Sequence, residues 1–185
     1  MEDREIIALF YARSEDAIQA LDTKYGALCH SLAYNIVNDR RDAEECVNDA
    51  YLGAWNAIPP AKPDPLATYL CKIVRNLALK RYWSNASAKR GGGFAVAMEE
   101  LEPCLAAPDT AETQLEAREL ARMMERFLDT LTPRNRVIFL RRYWFGDSGR
   151  DIAERVGLSE KAVSVRLTRL RRRLKQYLTE QEVFV

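Results

Sequence analysis

The sequence has no run of about 18 apolar residues, so it offers no membrane-spanning helix. It holds only 8 glycines and 7 prolines among 185 residues, which excludes a collagen-like or low-complexity chain. Its one histidine, His30, leaves little scope for a histidine base or a histidine-ligated metal. The four cysteines, Cys29, Cys46, Cys71 and Cys104, form no C-x-x-C pair. That argues against a disulfide framework and a structural zinc site, and predicts reduced, mostly buried thiols. No G-x-S-x-G, glycine-rich phosphate loop or H-E-x-x-H occurs, so no enzyme class is indicated and no cofactor or metal is expected. The opening MEDREIIALF starts with acids and lacks both a basic leader and a cleavable apolar run, so a cytoplasmic protein is expected.

What is present is charge, and it is sorted. The 28 Lys and Arg against 27 Asp and Glu leave a net charge of +1. Cut at its helix breakers, however, the chain carries −6 over residues 1–58, +6 over 59–90, −6 over 91–132 and +7 over 133–185. Two basic blocks separated by acidic ones point to two nucleic-acid faces that the overall balance conceals.

Helical periodicity locates these blocks. After Ser14, residues Ala17, Ile18, Leu21, Tyr25, Leu28, Leu32 and Ile36 recur at three- and four-residue spacing, the stripe of an amphipathic helix. Asp39 can cap a second helix from about Arg40 to Ile58, with Ala43, Val47, Ala50, Tyr51, Ala54, Trp55 and Ile58 inward; Pro59-Pro60 cannot continue it. Asp64-Pro65 supplies a cap and a first-turn proline for a third, with Leu66, Leu70, Ile73, Leu77 and Ala78 on one side and Lys72, Arg75, Lys80 and Arg81 on the flanks. Periodicity fails between Ser84 and Pro108, which reads as a linker. Asp109 to Glu112 has the spacing of a capping box for the next helix, reaching about Thr130. Thr132-Pro133 starts another that ends near Gly146, and Ser148 to Asp151 can cap a further one. No segment alternates as a half-buried strand does. The fold is therefore expected to be all-α, in two small helical domains, 1–84 and 109–185, joined by a flexible linker over 85–108.

The sharpest local pattern is DIAERVGLSEKAVSVRLTRLRRRL, Asp151 to Leu174. Ile152, Ala153 and Val156 give a short apolar face, Gly157 permits a left-handed turn, and Ser159 starts a new helix. This is the spacing of a helix-turn-helix. At 100° per residue Val163, Leu167, Leu170 and Leu174 share one face. Lys161, Val165, Thr168, Arg169 and Arg172 lie opposite, with Ser164 and Arg171 at one margin. A valine set among basic and hydroxyl residues can meet a thymine methyl in a major groove, while Arg169 and Lys161 reach base edges or phosphates. A free-standing helix-turn-helix regulator of duplex DNA would satisfy this segment alone.

Two further segments narrow the reading. DAEECVNDAYLGAWNAI (Asp42 to Ile58) resembles the helix with which bacterial sigma factors of the extracytoplasmic-function group grip the clamp of core RNA polymerase. YLCKIVRNLALKRYW (Tyr69 to Trp83) resembles the adjoining helix of that group that meets the −10 promoter element. Phe127 to Leu174 is similar to its −35-reading domain. This ordered trio is more specific than any one helix-turn-helix.

The resemblance implies a non-enzymatic initiation factor whose partners are core RNA polymerase, at its clamp and flap, promoter DNA, and an anti-sigma factor. It places Asn48, Asp49, Tyr51, Leu52 and Trp55 against polymerase, although an inward Trp55 is explained equally well as core. Lys72, Arg75, Asn76, Lys80 and Arg81 would face −10 DNA, Arg75 either touching DNA or bracing its own domain. Lys161, Ser164, Val165, Thr168, Arg169 and Arg172 would face −35 DNA. The loop from Pro59 to Asp64 stands where the group captures a base flipped from the non-template strand. Lys80-Arg81 departs from an aspartate-aromatic pair frequent in relatives, and Val165 from a frequent serine. Of Tyr82 and Trp83, one is expected in the core and the other against unpaired bases. The acidic linker, Glu99, Glu100 and Glu102, is similar to the segment that threads through polymerase, and a solvated tether explains it equally well.

Overall fold

The computed structural model describes residues 1–85, 92–105 and 113–182, with side chains over 118–181 in the last stretch. Among these residues the chain forms nine α-helices and no strand, the all-α class that the periodicity predicts. It divides into two compact units, Met1–Ala95 and Val96–Val185.

The first unit is built on α1 (Asp3–Tyr11), α2 (Asp16–Val37), α3 (Arg40–Ala57) and α4 (Leu66–Ser84). Helix α1 was not anticipated. Its N-terminus is closed by a reciprocal box in which the Glu2 N–H donates to the Glu5 carboxylate at 2.7 Å, and Asp3 and Glu5 complement the helix dipole. Ile6 and Phe10, one turn apart, are fully buried as α1 packs on α2. The Lys24 ammonium, 2.6 Å from Asp3, and the Tyr25 hydroxyl fasten the same pair of helices and hold the Asp3 carboxyl below the usual carboxylate range.

Helix α2 stops on Asn38, whose left-handed φ of 55° returns its N–H to the Tyr34 carbonyl. Asp39 caps α3 as expected, its carboxylate accepting the Asp42 N–H at 2.9 Å. The extended Ile58 ends α3 because Pro59 follows it. Asp64 makes no cap on α4. Pro65 itself stands at the N-cap, and a proline has no side-chain acceptor to offer. Helices α2, α3 and α4 pack against one another, and Ala33, Ala50, Ala54 and Ala78 are buried among Leu21, Leu32, Ile36, Leu70 and Val74. Each fully buried Leu, Ile or Val contributes roughly 1.5–3 kcal/mol relative to exposure.

The second unit contains most of α5 (Gly93–Leu105) together with α6 (Thr113–Asp129), α7 (Pro133–Tyr143), α8 (Gly149–Val156) and α9 (Glu160–Glu182). The presence of α5 corrects the linker expected over 85–108 where the two overlap, at Gly93–Leu105; residues 86–91 and 106–108 lie outside the described residues. Ala97 and Leu101 of this helix are buried in one core with Phe127, Ile138, Phe139, Ile152, Val163, Leu167, Leu170 and Leu174. Pro103, which reads as a breaker, lies inside α5 near its C-terminal end, where it gives up one i→i−4 hydrogen bond, and the helix stops at Leu105. The expected capping box at Asp109 to Glu112 lies outside the described residues.

Three caps read from sequence are present. Thr132 accepts the Asn135 N–H with Pro133 opening α7, Ser148 accepts the Asp151 N–H at 3.1 Å, and Ser159 accepts the Ala162 N–H at 3.1 Å. Helix α7 ends at Tyr143, three residues before Gly146. Gly157 takes φ 65° and ψ 44°, the left-handed region where a Cβ is penalised, and so turns α8 into α9. No helix among the described residues is long and apolar enough to cross a membrane.

Candidate nucleic-acid interface

Helix α9 presents two chemically distinct faces. Val163, Leu167, Leu170 and Leu174 are buried, in agreement with the 100° projection. Lys161, Ser164, Val165, Arg169 and Arg172 are exposed on the other side, and Thr168 is half-buried beside them. Val165 is 42% exposed among these polar and basic side chains, so its methyls are accessible to another apolar group. Thr168 donates its hydroxyl to the Ser164 carbonyl, so its side chain is oriented rather than free.

Several other cations of this region are committed to the protein. Arg166 donates to Asn135 Oδ1 at 3.0 Å, Arg173 to Thr130 at 3.1 Å, and Arg134 to the Val156 carbonyl at 2.7 Å. Arg142 is buried, forks onto Glu100 at 2.7 and 3.2 Å, and also donates to the Asp147 carbonyl at 2.9 Å. Arg141 pairs with the Asp147 carboxylate. These bonds fix α9 against α6 and α7 and fix the α7–α8 corner. Among the described residues no partner is found for Lys161, Arg169 or Arg172, three cations one or two turns apart on the exposed side. An unpaired basic row on a helix so fixed is suited to phosphates and base edges.

In the first unit, Lys72, Asn76 and Lys80 are exposed along α4 at four-residue spacing. The other two residues expected on that face are engaged. Arg75 is half-buried with its guanidinium 5.8 Å from the Phe94 ring centre, and burial pulls its pKa below the ordinary value. Arg81 forms ion pairs across to α3, with Asp42 at 3.7 Å and with Glu45. The choice left open at the end of α4 is resolved by packing. Tyr82 is buried edge-on against Phe94 and Trp83, while Trp83 is 65% exposed.

On α3, Asn48, Asp49 and Leu52 form an exposed stripe, with Leu52 58% exposed. Tyr51 does not belong to it, which corrects its expected surface role. The side chain is 6% exposed and its hydroxyl donates to Asp22 Oδ1 at 2.8 Å. Trp55 is half-buried against Phe10, with Arg13 over its ring at 5.3 Å. The loop after α3 is held by α1 and its exit: the Tyr11 hydroxyl donates to the Pro60 carbonyl at 2.9 Å, Lys62 lies over the Tyr11 ring, and Arg13 donates to the Trp55 carbonyl at 2.6 Å.

The comparisons with known proteins coincide with these two units. Residues 21–87 match sigma-70 region 2, covering α3 and α4 with most of α2. Residues 121–174 match sigma-70, region 4, from within α6 through the exposed row of α9. The chain belongs to the sigma-70 family. It is similar to the probable RNA polymerase sigma factor RfaY of Xanthomonas campestris pv. campestris, at 29% identity over 157 residues. That alignment covers 82% of this chain and 38% of the relative, so the chain spans well under half of that protein's length. A solved structure of CnrH in complex with the cytosolic domain of CnrY aligns over 96% of this chain and 97% of that one, with 23% identity and a TM-score of 0.44.

Within this sigma-70 chain, the residues that sequence reasoning missed are supports. Tyr11, Arg13 and Asp3 on and beside α1, Asp42 and Glu45 facing Arg81, and Glu100 facing Arg142 make bonds across 21 to 49 residues of sequence. Helical periodicity reports which side of a helix is apolar and carries no information on which distant charge meets which. The burial of the thiols is as expected: Cys29, Cys46 and Cys71 are buried and Cys104 is partly so. No cluster of metal-ligating side chains occurs among the described residues.

Proposed function

We propose that this protein is a sigma factor of the extracytoplasmic-function group, which binds core RNA polymerase and directs promoter-specific initiation. The observation that carries the reading is the presence of both sigma-70 regions in one chain, each with an exposed polar or basic row on a capped, well-packed helix. Asn48, Asp49 and Leu52 would dock on the polymerase clamp. Lys72, Asn76 and Lys80 would track the −10 strand, with Trp83 stacking on an unpaired base, and the loop from Pro59 to Asp64 would receive a flipped one. Lys161, Ser164, Val165, Thr168, Arg169 and Arg172 would read the −35 duplex, while region 4 also meets the polymerase flap. The factor performs no bond chemistry of its own and works in the cytoplasm, where an anti-sigma partner restrains it. A free-standing regulator would have no use for region 2.

Reconstitution tests this directly. Core polymerase mixed with the purified chain should co-purify with it and yield transcripts that start at a defined set of promoters, mapped by sequencing their 5′ ends. Failure to associate, or initiation no more specific than core alone, overturns the proposal.

A further inference from the structure

Arg171 stands at the margin of the exposed face of α9, next to Thr168 and Arg172, yet it is half-buried and its guanidinium is bonded within its own unit. Its Nη1 donates to the Tyr143 hydroxyl at 2.9 Å and to Glu100 Oε2 at 3.3 Å, and its Nη2 donates to Thr168 Oγ1 at 3.3 Å. The Tyr143 hydroxyl in turn reaches Glu100 Oε2 at 3.5 Å, and the Cys104 thiol donates to the Arg171 carbonyl at 3.6 Å. Burial opposes the charge on Arg171, but Tyr143 and Glu100 outweigh it, so its pKa lies above the ordinary value.

Glu100 therefore serves two arginines unequally. It meets buried Arg142 through a two-pronged fork at 2.7 and 3.2 Å, the stronger geometry, and Arg171 through a single longer bond. Arg142 would retain the Asp147 carbonyl if Glu100 were neutral; Arg171 would retain only neutral hydroxyls. A phosphate oxygen outcompetes a hydroxyl for a guanidinium because the bond is charge-assisted.

The geometry points to Arg171 as an additional phosphate-contacting residue of the −35 surface, with Glu100 of α5 as the positioning residue that withholds it and so sets duplex affinity. This rests on the reading of α9 as a DNA-facing helix given above. Duplex DNA and the α5 carboxylate compete for one guanidinium, and the protein trades some affinity for a weaker grip on sequence-independent backbone.

The test uses the full chain and a mixed-sequence DNA duplex, since a phosphate contact needs no particular bases. Glu100→Gln should bind several-fold more tightly at low salt, with the log–log salt slope steeper by about 0.9, the value for one added phosphate contact. Adding Arg171→Gln to that variant should return the slope to the wild-type value, an effect that loss of packing alone would not produce. An unchanged slope in a Glu100→Gln protein that melts cooperatively overturns the inference while leaving the DNA-facing role of α9 intact. If neither protein binds the duplex, both readings fall. Should Glu100→Gln not fold, Glu100→Asp decides, because its shorter side chain cannot span both arginines and should release the singly bonded Arg171: its salt slope should steepen toward the same extent, and an unchanged slope in a folded Glu100→Asp protein overturns the inference.

Discussion

The Tyr51 hydroxyl donates to Asp22 Oδ1 at 2.8 Å and ties α3 to α2 below the exposed stripe of Asn48, Asp49 and Leu52. Gly26 makes room for this bond. A Cβ at that position would lie 2.5 Å from the same Asp22 oxygen, so only a residue without one lets the carboxylate rest where the tyrosine can reach it. The surface stripe thus stands on a helix whose rotation is fixed from the inside.

That arrangement separates stability from binding. Tyr51→Phe keeps the ring and removes one hydrogen bond, at a cost of about 1 kcal/mol. Its urea midpoint should fall while its affinity for core polymerase stays at the wild-type value. Leu52→Ala should do the reverse, since an exposed leucine supports little of the fold. Equal loss of polymerase affinity in both variants would show that the stripe is not the docking surface.

Alkaline pH should destabilise the first unit through Cys29. Burial pushes this thiol up to about 12, with the neighbouring Cys71 thiol and Asp22 carboxylate adding to the shift. In the unfolded chain a cysteine ionises near 8.5. Because the folded value is raised, the contribution is complete below that pH and is lost as pH climbs toward 12, where the unfolded state sheds the proton first. Tyr51, raised by burial and by its bond to Asp22, acts in the same direction at higher pH. The difference in urea midpoint between about pH 8 and about pH 10.5 should be smaller in Cys29→Ala than in the wild-type protein. A difference of the same size in both would show that Cys29 is not the group responsible.

Gly157→Ala should destabilise the second unit by about 1 kcal/mol. Nothing lies within 4 Å of the added methyl, so the cost comes from the left-handed backbone alone. Asparagine tolerates that conformation better, and Gly157→Asn should recover part of the loss in melting temperature. If the alanine variant melts with the wild type, the turn is not held at this φ.

Much of this molecule was legible because its signals are local. Asp39, Thr132, Ser148 and Ser159 each cap a helix whose first turn follows at once, Gly157 turns where a glycine is required, and the buried face of α9 follows from spacing alone. What escaped depends on distance in sequence. Helix α1 is only nine residues long and gains its stability from Lys24, Tyr25 and the loop at Pro60. Helix α5 was hidden by Pro103 and by the glycines before it, although its acids have partners: Glu100 meets residues 42 and 71 positions away. Tyr51 differs: the spacing of α3 sets it inward while the resemblance sets it against polymerase, and its burial and its bond to Asp22 agree with the spacing.

Arg81 and Lys80 make the sharpest contrast between composition and geometry. Adjacent in sequence and alike in charge, they read as one basic pair, yet Arg81 is bound to Asp42 and Glu45 whereas Lys80 is exposed with no partner among the described residues. A guanidinium already neutralised by two carboxylates releases few counterions when DNA arrives, because its charge is not available to the phosphates. In holoenzyme assembled with each variant, Lys80→Gln should therefore reduce the salt slope for an unpaired −10 strand by about 0.7, the value for one lost single-strand contact. Arg81→Gln should leave the slope unchanged and lower the melting temperature slightly, since it strands Asp42 and Glu45 on α3. If Arg81→Gln instead flattens the slope as much as Lys80→Gln, the ion pairs must open on binding, and Arg81 is a DNA contact after all.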